Sequence, residues 1–197
     1  MDYIGEVELG TPKQTFRIIF DTGSADFWVP SVRCDNGCQE RRKYDSSRSS
    51  THVSEGKQVV IKYGSGEVRG VISSDRLWLG RDRSVLSQPF AEITHASPGI
   101  FRGDPFDGVI PRDVPFDGIL GLGYPKLSTL KVRPVFDTLV EEKLVPRPVF
   151  AFYLGSDTSA RPAGELVLGG VNHEHIKGTI HYVSVTKKRH WEFTMDR

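Results

Sequence analysis

Over the first hundred residues apolar and polar positions mostly alternate, in short runs. Residues 3–9 alternate, and residues 16–20 are β-branched and aromatic before the run stops at Asp21-Thr22-Gly23. Phe27-Trp28-Val29 is another apolar run, closed by Pro30. Residues 57–63 alternate up to Gly64-Ser65-Gly66, and 67–72 resume beyond it. Two alternating runs about a Gly-Ser-Gly turn predict a β-hairpin. Residues 76–79 are a further strand candidate, ended by Gly80. The period changes once: Val135, Phe136, Leu139, Val140 and Leu144 recur at helical spacing, with Pro134 fitting the first helical position and Pro146 and Pro148 as stops. Residues 149–154, 165–168 and 179–185 read as strands again. The pattern predicts a mostly-β chain with occasional helix.

Composition fits that pattern. The chain has 197 residues, 38% hydrophobic and 26% charged, an ordinary globular balance. Its 20 glycines and 12 prolines favour short strands and tight turns over long helices. A net charge of +1 offers no electrostatic basis for binding nucleic acid or a membrane. The basic run Arg41-Arg42-Lys43 lies in a polar stretch and reads as solvated surface. No apolar stretch is long enough to span a bilayer. Residues 1–5 show no basic segment leading into an apolar core, so no signal peptide is visible.

Cys34 and Cys38 are the only two cysteines. A lone C-x-x-x-C is poor for zinc, which takes four ligands, and it is not the C-x-x-C spacing of redox motifs. No metal site is expected. A small disulfide-closed loop formed in an oxidising compartment is the favoured reading, with two free thiols as the alternative.

Asp21 ends an apolar strand. Burying a carboxylate is costly unless hydrogen-bond donors meet it. Gly23 lets the backbone turn and bring an N–H close, while Thr22 and Ser24 supply hydroxyls. Such a set can hold a reactive carboxylate rigidly. Taken alone, the tetrapeptide also fits a strand followed by an ordinary turn.

The ordered series of motifs is more specific. Phe20-Asp21-Thr22-Gly23-Ser24 is followed by Phe27-Trp28-Val29-Pro30-Ser31 and then by Tyr63-Gly64-Ser65-Gly66. Next comes Phe116-Asp117-Gly118-Ile119-Leu120-Gly121-Leu122-Gly123-Tyr124-Pro125. Pro134-Val135-Phe136-Asp137 and Gly164-Glu165-Leu166-Val167-Leu168-Gly169-Gly170 come later. In this order, and throughout the chain, the series resembles the pepsin-like aspartic proteases, nearest to their cathepsin D-type members.

That resemblance implies one lobe of the bilobal acid protease fold, mostly β with a few short helices. Residues 1–150 would form the N-terminal lobe with active-site loop and flap. Residues 151–197 would give strands of the interdomain sheet and the start of a C-terminal lobe. By the same resemblance Asp21 is the first catalytic aspartate, Ser24 bonds its outer oxygen, and Thr22 locks the active-site loops of the two lobes together. Tyr63 is the flap-tip tyrosine with Trp28 as its hydrogen-bond partner, plain sheet packing being the alternative for both. Gly64 and Ser65 are the flap backbone that pairs with an extended peptide. Ile119, Leu120 and Gly121 pack behind the active-site loop. Ile19, Phe101 and Ile119 line the pocket beside the scissile bond, and Cys34–Cys38 matches a small disulfide loop.

Two features depart from the family pattern. Pro105-Phe106-Asp107-Gly108 anticipates Pro115-Phe116-Asp117-Gly118, so residues 105–114 read as an extra segment, either a surface insertion near the active-site rim or an artefact of the gene model, that leaves the local alignment of Phe101 open. A second Asp-Thr-Gly is absent: Asp157-Thr158-Ser159 lacks the glycine and lies in a polar loop. The expectation is the N-terminal half of an acid endopeptidase that takes polypeptide substrates, uses no cofactor and needs a C-terminal lobe for its second aspartate. Secreted or lysosomal/vacuolar residence is implied, with signal and prosegment outside this chain. Two other readings stand beside it. One is a non-catalytic peptide-binding module that keeps cleft and flap. The other is an active homodimer with one Asp21 per copy, against which the length argues.

Overall fold

Alternation along the chain as far as Gly121 becomes one seven-stranded, curled sheet. In a computed structural model, residues 3–80, 83–101, 116–155 and 163–195 are described. The 105–114 segment and Asp157-Thr158-Ser159 lie outside them. Strand β1 (Ile4–Leu9) buries Val7 and Leu9 and exposes Glu6; β2 (Gln14–Asp21) buries Phe16 and Ile18. The two pair antiparallel, Ile4 opposite Ile19. Strand β3 (Phe27–Pro30) is buried at every position, as a strand covered on both faces must be. Strands β4 (Val53–Tyr63) and β5 (Gly66–Leu79) form the hairpin expected about Gly64 and Ser65. Strands β6 (Arg83–Ala96) and β7 (Gly118–Gly121) complete a sheet of order β1-β2-β7-β3-β6-β5-β4. Pairing of Val7 with Leu79 and Leu9 with Leu77 joins β1 to β5 and curls the sheet back on itself.

The curl encloses two apolar clusters. One gathers Phe16, Ile18, Leu77, Phe90 and Leu120 with Val135 and Leu139 of helix α1 (Val135–Glu141). The other gathers Trp28, Ile61, Ile72, Ile93, Phe101, Phe116 and Ile119. Each such side chain contributes about 1.5–3 kcal/mol on burial. Asp117 ties β2 to the loop that carries Arg42. Its fully buried carboxylate accepts from the Arg17 backbone N–H at 2.8 Å, from the Arg17 guanidinium at 3.0 Å and from the Arg42 backbone N–H at 3.0 Å.

The architecture is the expected mostly-β one with a single α-helix among the described residues, but several details differ. Pro134 is the residue before the helix, with extended backbone, not its first turn. The helix ends at Glu141, well short of the prolines, because Lys143 adopts φ 54° and turns the chain away. Leu144 still packs on the core from beyond the helix. Residues 67–72 and 76–79 belong to one continuous strand, β5. Residues 179–185 form no strand: they have no ladder partner among the described residues, and Tyr182 and Val183 stand exposed. The basic run is not simply solvated either. Arg41 is partly covered, and the Lys43 ammonium donates to the Cys34 carbonyl at 3.3 Å.

After the helix, β8 (Phe150–Leu154) and β9 (Gly164–Leu168) form a separate antiparallel pair that leaves Phe152, Tyr153 and Leu154 exposed. A short hairpin, β10 (Lys187–Lys188) and β11 (Trp191–Glu192), follows. Among the described residues no helix is long and apolar enough to cross a membrane.

Candidate active site

Asp21 is the last residue of β2, and the chain turns at Thr22 and Gly23, both exposed. The turn is held by the strand behind it. β7 runs parallel to β2 with Gly121 opposite Asp21, and antiparallel to β3 with Ile119 opposite Trp28. Three backbone bonds then fix residues 21–26: Leu122 N–H to the Asp21 carbonyl at 2.7 Å, Gly121 N–H to the Asp26 carbonyl at 2.9 Å, and Gly123 N–H to the Ser24 carbonyl at 2.7 Å. Gly121 is required by this approach, since a Cβ there would lie 2.5 Å from the Ala25 backbone. Ile119, Leu120 and Gly121 lie on β7, paired with β2 on one side and β3 on the other. The apolar pair divides, Ile119 joining the Trp28 cluster and Leu120 the other one.

The Asp21 carboxylate accepts the Gly23 N–H at 2.8 Å, the bond anticipated from the glycine. Ser24 differs from expectation. Its hydroxyl is buried and makes no hydrogen bond of ordinary geometry, to Asp21 or to any other described group.

Asp26 is a further functional candidate that sequence reasoning passed over. Only 2% exposed, its carboxylate accepts from the Ser128 hydroxyl at 2.6 Å, from Thr129 N–H at 2.8 Å and from Leu130 N–H at 3.3 Å. It ties the Asp21 turn to the 128–131 turn. The signal was available: a carboxylate between Ala25 and the wholly apolar Phe27-Trp28-Val29 must be buried and therefore met by donors.

Tyr63 ends β4 at the base of the Gly64-Ser65 turn, half-buried, with Gly64 exposed at the tip. The Trp28 indole N–H donates to its hydroxyl at 2.8 Å. Burial pushes the Tyr63 hydroxyl far above its ordinary range; the Trp28 bond opposes this, and the charges of Asp26 and Asp21 add to it. The phenol is therefore neutral and oriented at any working pH. The far side of the turn is anchored as well. Gly66 has φ 142° and packs on Ser97, whose N–H donates to the Glu67 carbonyl at 2.9 Å. Ile19, Tyr63, Trp28, Phe101 and Ile119 share one apolar cluster, so the candidate pocket residues are brought together. Phe101 meets Trp28 edge-on at 6.0 Å between ring centres.

Cys34 and Cys38 are joined in a disulfide. Among the described residues, no three His, Cys, Asp or Glu side chains are grouped to hold a metal ion.

The family model for eukaryotic aspartyl proteases matches residues 2–197. Cathepsin D of Gallus gallus is 42% identical over 98% of this chain and 47% of its own length. Cathepsin D of Bos taurus is 41% identical over 99% of the chain and 50% of its own length. Cathepsin D of Homo sapiens is 38% identical, with 99% and 48% covered. The chain thus spans about half the length of these curated relatives. A family match over residues 2–197 makes this chain a member of the eukaryotic aspartyl protease family.

Proposed function

We propose that Asp21 is one of two catalytic aspartates of an acid endopeptidase, and that a second lobe not contained in these 197 residues supplies the other. The observation that carries this reading is the Asp21-Thr22-Gly23-Ser24 turn held rigidly on β7, with Tyr63 fixed beside it by Trp28. The sequence has a single Asp-Thr-Gly, and its match takes in about half of each relative. Residues 1–150 are read as the lobe with active-site loop and flap. Residues 151–197 are read as the interdomain strands, in keeping with the exposed Phe152, Tyr153 and Leu154 of β8.

The chemistry follows from the pairing. Two carboxylates side by side cannot both ionise cheaply, so they share one proton across a water molecule. The ionised carboxylate takes a proton from water as its oxygen attacks the peptide carbonyl carbon. The protonated one gives its proton to the carbonyl oxygen, where charge develops. No covalent intermediate forms. The Gly23 N–H fixes the plane of the Asp21 carboxylate, and Thr22, exposed on the turn, is placed to meet the partner lobe. Tyr63 closes over the substrate, Gly64 and Ser65 offer backbone to an extended peptide, and Ile19, Phe101 and Ile119 receive apolar side chains. The disulfide supports maturation in an oxidising compartment, in keeping with secreted or lysosomal/vacuolar residence.

The test compares the 197-residue chain with the same chain joined to a second lobe bearing an Asp-Thr-Gly or Asp-Ser-Gly. Only the joined protein should cleave polypeptides at acid pH, with a preference for apolar residues around the cut. Turnover by the short chain that rises with the square of its concentration would instead favour a homodimer. Tight binding of peptide by the joined protein with no cleavage would favour a binding module.

A further inference from the structure

The three members of the basic run part company. Lys43 serves the Cys34 carbonyl, and the Arg42 guanidinium pairs with Glu6 at 3.1 Å. Arg41 turns inward. Its guanidinium lies over the Phe101 ring at 4.8 Å and faces the Phe116 ring at 5.9 Å. Its two terminal nitrogens donate to the Phe116 carbonyl at 3.2 Å and the Phe101 carbonyl at 3.4 Å. One side chain thus joins two residues well separated in sequence. The two phenyl rings are buried and 5.3 Å apart. Burial lowers the guanidinium's pKa, and the nearby Asp117 charge works against that shift.

The contacts do not stop at Phe101. Its ring meets Trp28 edge-on at 6.0 Å, and Trp28 holds the Tyr63 hydroxyl at 2.8 Å. The stem of Arg41 is itself fixed, since its N–H donates to the carbonyl of Cys38, half of the disulfide. A planar, weakly hydrated cation suits this place. It stacks flat on aromatic rings, and its planar fork serves two carbonyls in a fixed geometry that a tetrahedral ammonium does not reproduce.

We propose that Arg41 is a positioning residue: it holds Phe101, and through it Trp28 and Tyr63, in the orientation that shapes the apolar wall of the cleft and sets its preference for large side chains. The consequence for substrates rests on the acid-peptidase reading; the consequence for Trp28 does not.

Two readouts test this. The first needs no activity. The 197-residue chain is labelled with 5-fluorotryptophan and its three tryptophan signals are assigned by single Trp→Phe variants. In Arg41→Lys and Arg41→Gln the Trp28 fluorine signal should move or broaden while those of Trp78 and Trp191 stay in place. An unmoved Trp28 signal, or an equal shift of all three, overturns the proposal. The second uses the chain joined to its second lobe and two peptides that differ only by Phe or Ala beside the cleaved bond. Arg41→Lys should reduce the preference for the Phe peptide about tenfold or more, mainly through KM. An equal fall on both peptides would mean that Arg41 merely stabilises the fold. A joined protein with no peptidase activity would sink the proposed function, while the fluorine signals still decide the role of Arg41.

Discussion

The indole N–H of Trp28, on β3, donates to the hydroxyl of Tyr63, on the hairpin, at 2.8 Å. This bond fixes where the hairpin tip lies relative to the Asp21 turn, because β3 and β2 are both paired to β7. Trp28→Phe and Tyr63→Phe each keep a ring and lose the bond. Tyr63→Phe should lower stability by about 1 kcal/mol and weaken binding of an extended peptide inhibitor, while Trp28→Phe should cost more because it also leaves a cavity in a fully buried site. The double variant should be little worse than Trp28→Phe alone, as expected for two partners of one interaction. Full additivity in a double-mutant cycle would show that the two side chains act separately.

Asp137, in the first turn of helix α1, lines a cavity of about 670 Å³ with Arg133, Glu141 and Trp191. Burial raises its pKa, with its own backbone N–H and the Arg133 charge opposing the shift. The sign follows from linkage: a carboxyl whose pKa is higher in the folded state binds its proton more tightly when folded. Its stabilising contribution is complete below the ordinary carboxylate pKa and is lost as pH rises through the raised value. Asp137→Asn should therefore raise the Tm at neutral pH and leave it nearly unchanged at about pH 3, where the native side chain is already protonated. Thermal melts across pH check this; a variant less stable at neutral pH would contradict it.

The fully buried carboxylate of Asp117 serves two backbone N–H groups and the Arg17 guanidinium. Asp117→Ala strands all of them and should cost about 2–4 kcal/mol in urea unfolding. Arg17→Met should cost less, because the arginine is a quarter exposed and Asp117 keeps its backbone donors. Reversal of that order would show that the ion pair, and not the backbone donors, dominates the site.

Much of the fold was legible because period and punctuation agreed. The alternation on either side of Gly64-Ser65 gave the hairpin, and the run ending in Asp21-Thr22-Gly23 gave the turn at the site. What escaped depended on neighbours distant in sequence. Strand β6 was hidden by Pro89, which breaks the usual strand pattern. It is tolerated because β6 pairs with β3 only from Ala91 onward, so the missing N–H falls before that ladder begins. Residues 179–185 carry strand-like side chains but no described partner, and propensity without a ladder does not make a strand. Arg41 read as solvated because nothing local to it is apolar; its phenyl partners arrive from residues 101 and 116. Ser24 was expected to bond Asp21, yet its buried hydroxyl has no partner of ordinary hydrogen-bond geometry, and its electrostatic influence falls on the Tyr63 hydroxyl.

The most direct test of the account is peptide hydrolysis at acid pH by the chain joined to its second lobe, with and without Asp21→Asn. The amide nearly matches the carboxylate in shape and can still accept the Gly23 N–H, so the fold and inhibitor binding should survive. It cannot take a proton from water, so turnover should fall by at least about a thousandfold. Inhibitor-sensitive turnover that persists in Asp21→Asn would contradict the assignment of Asp21 as the catalytic carboxylate.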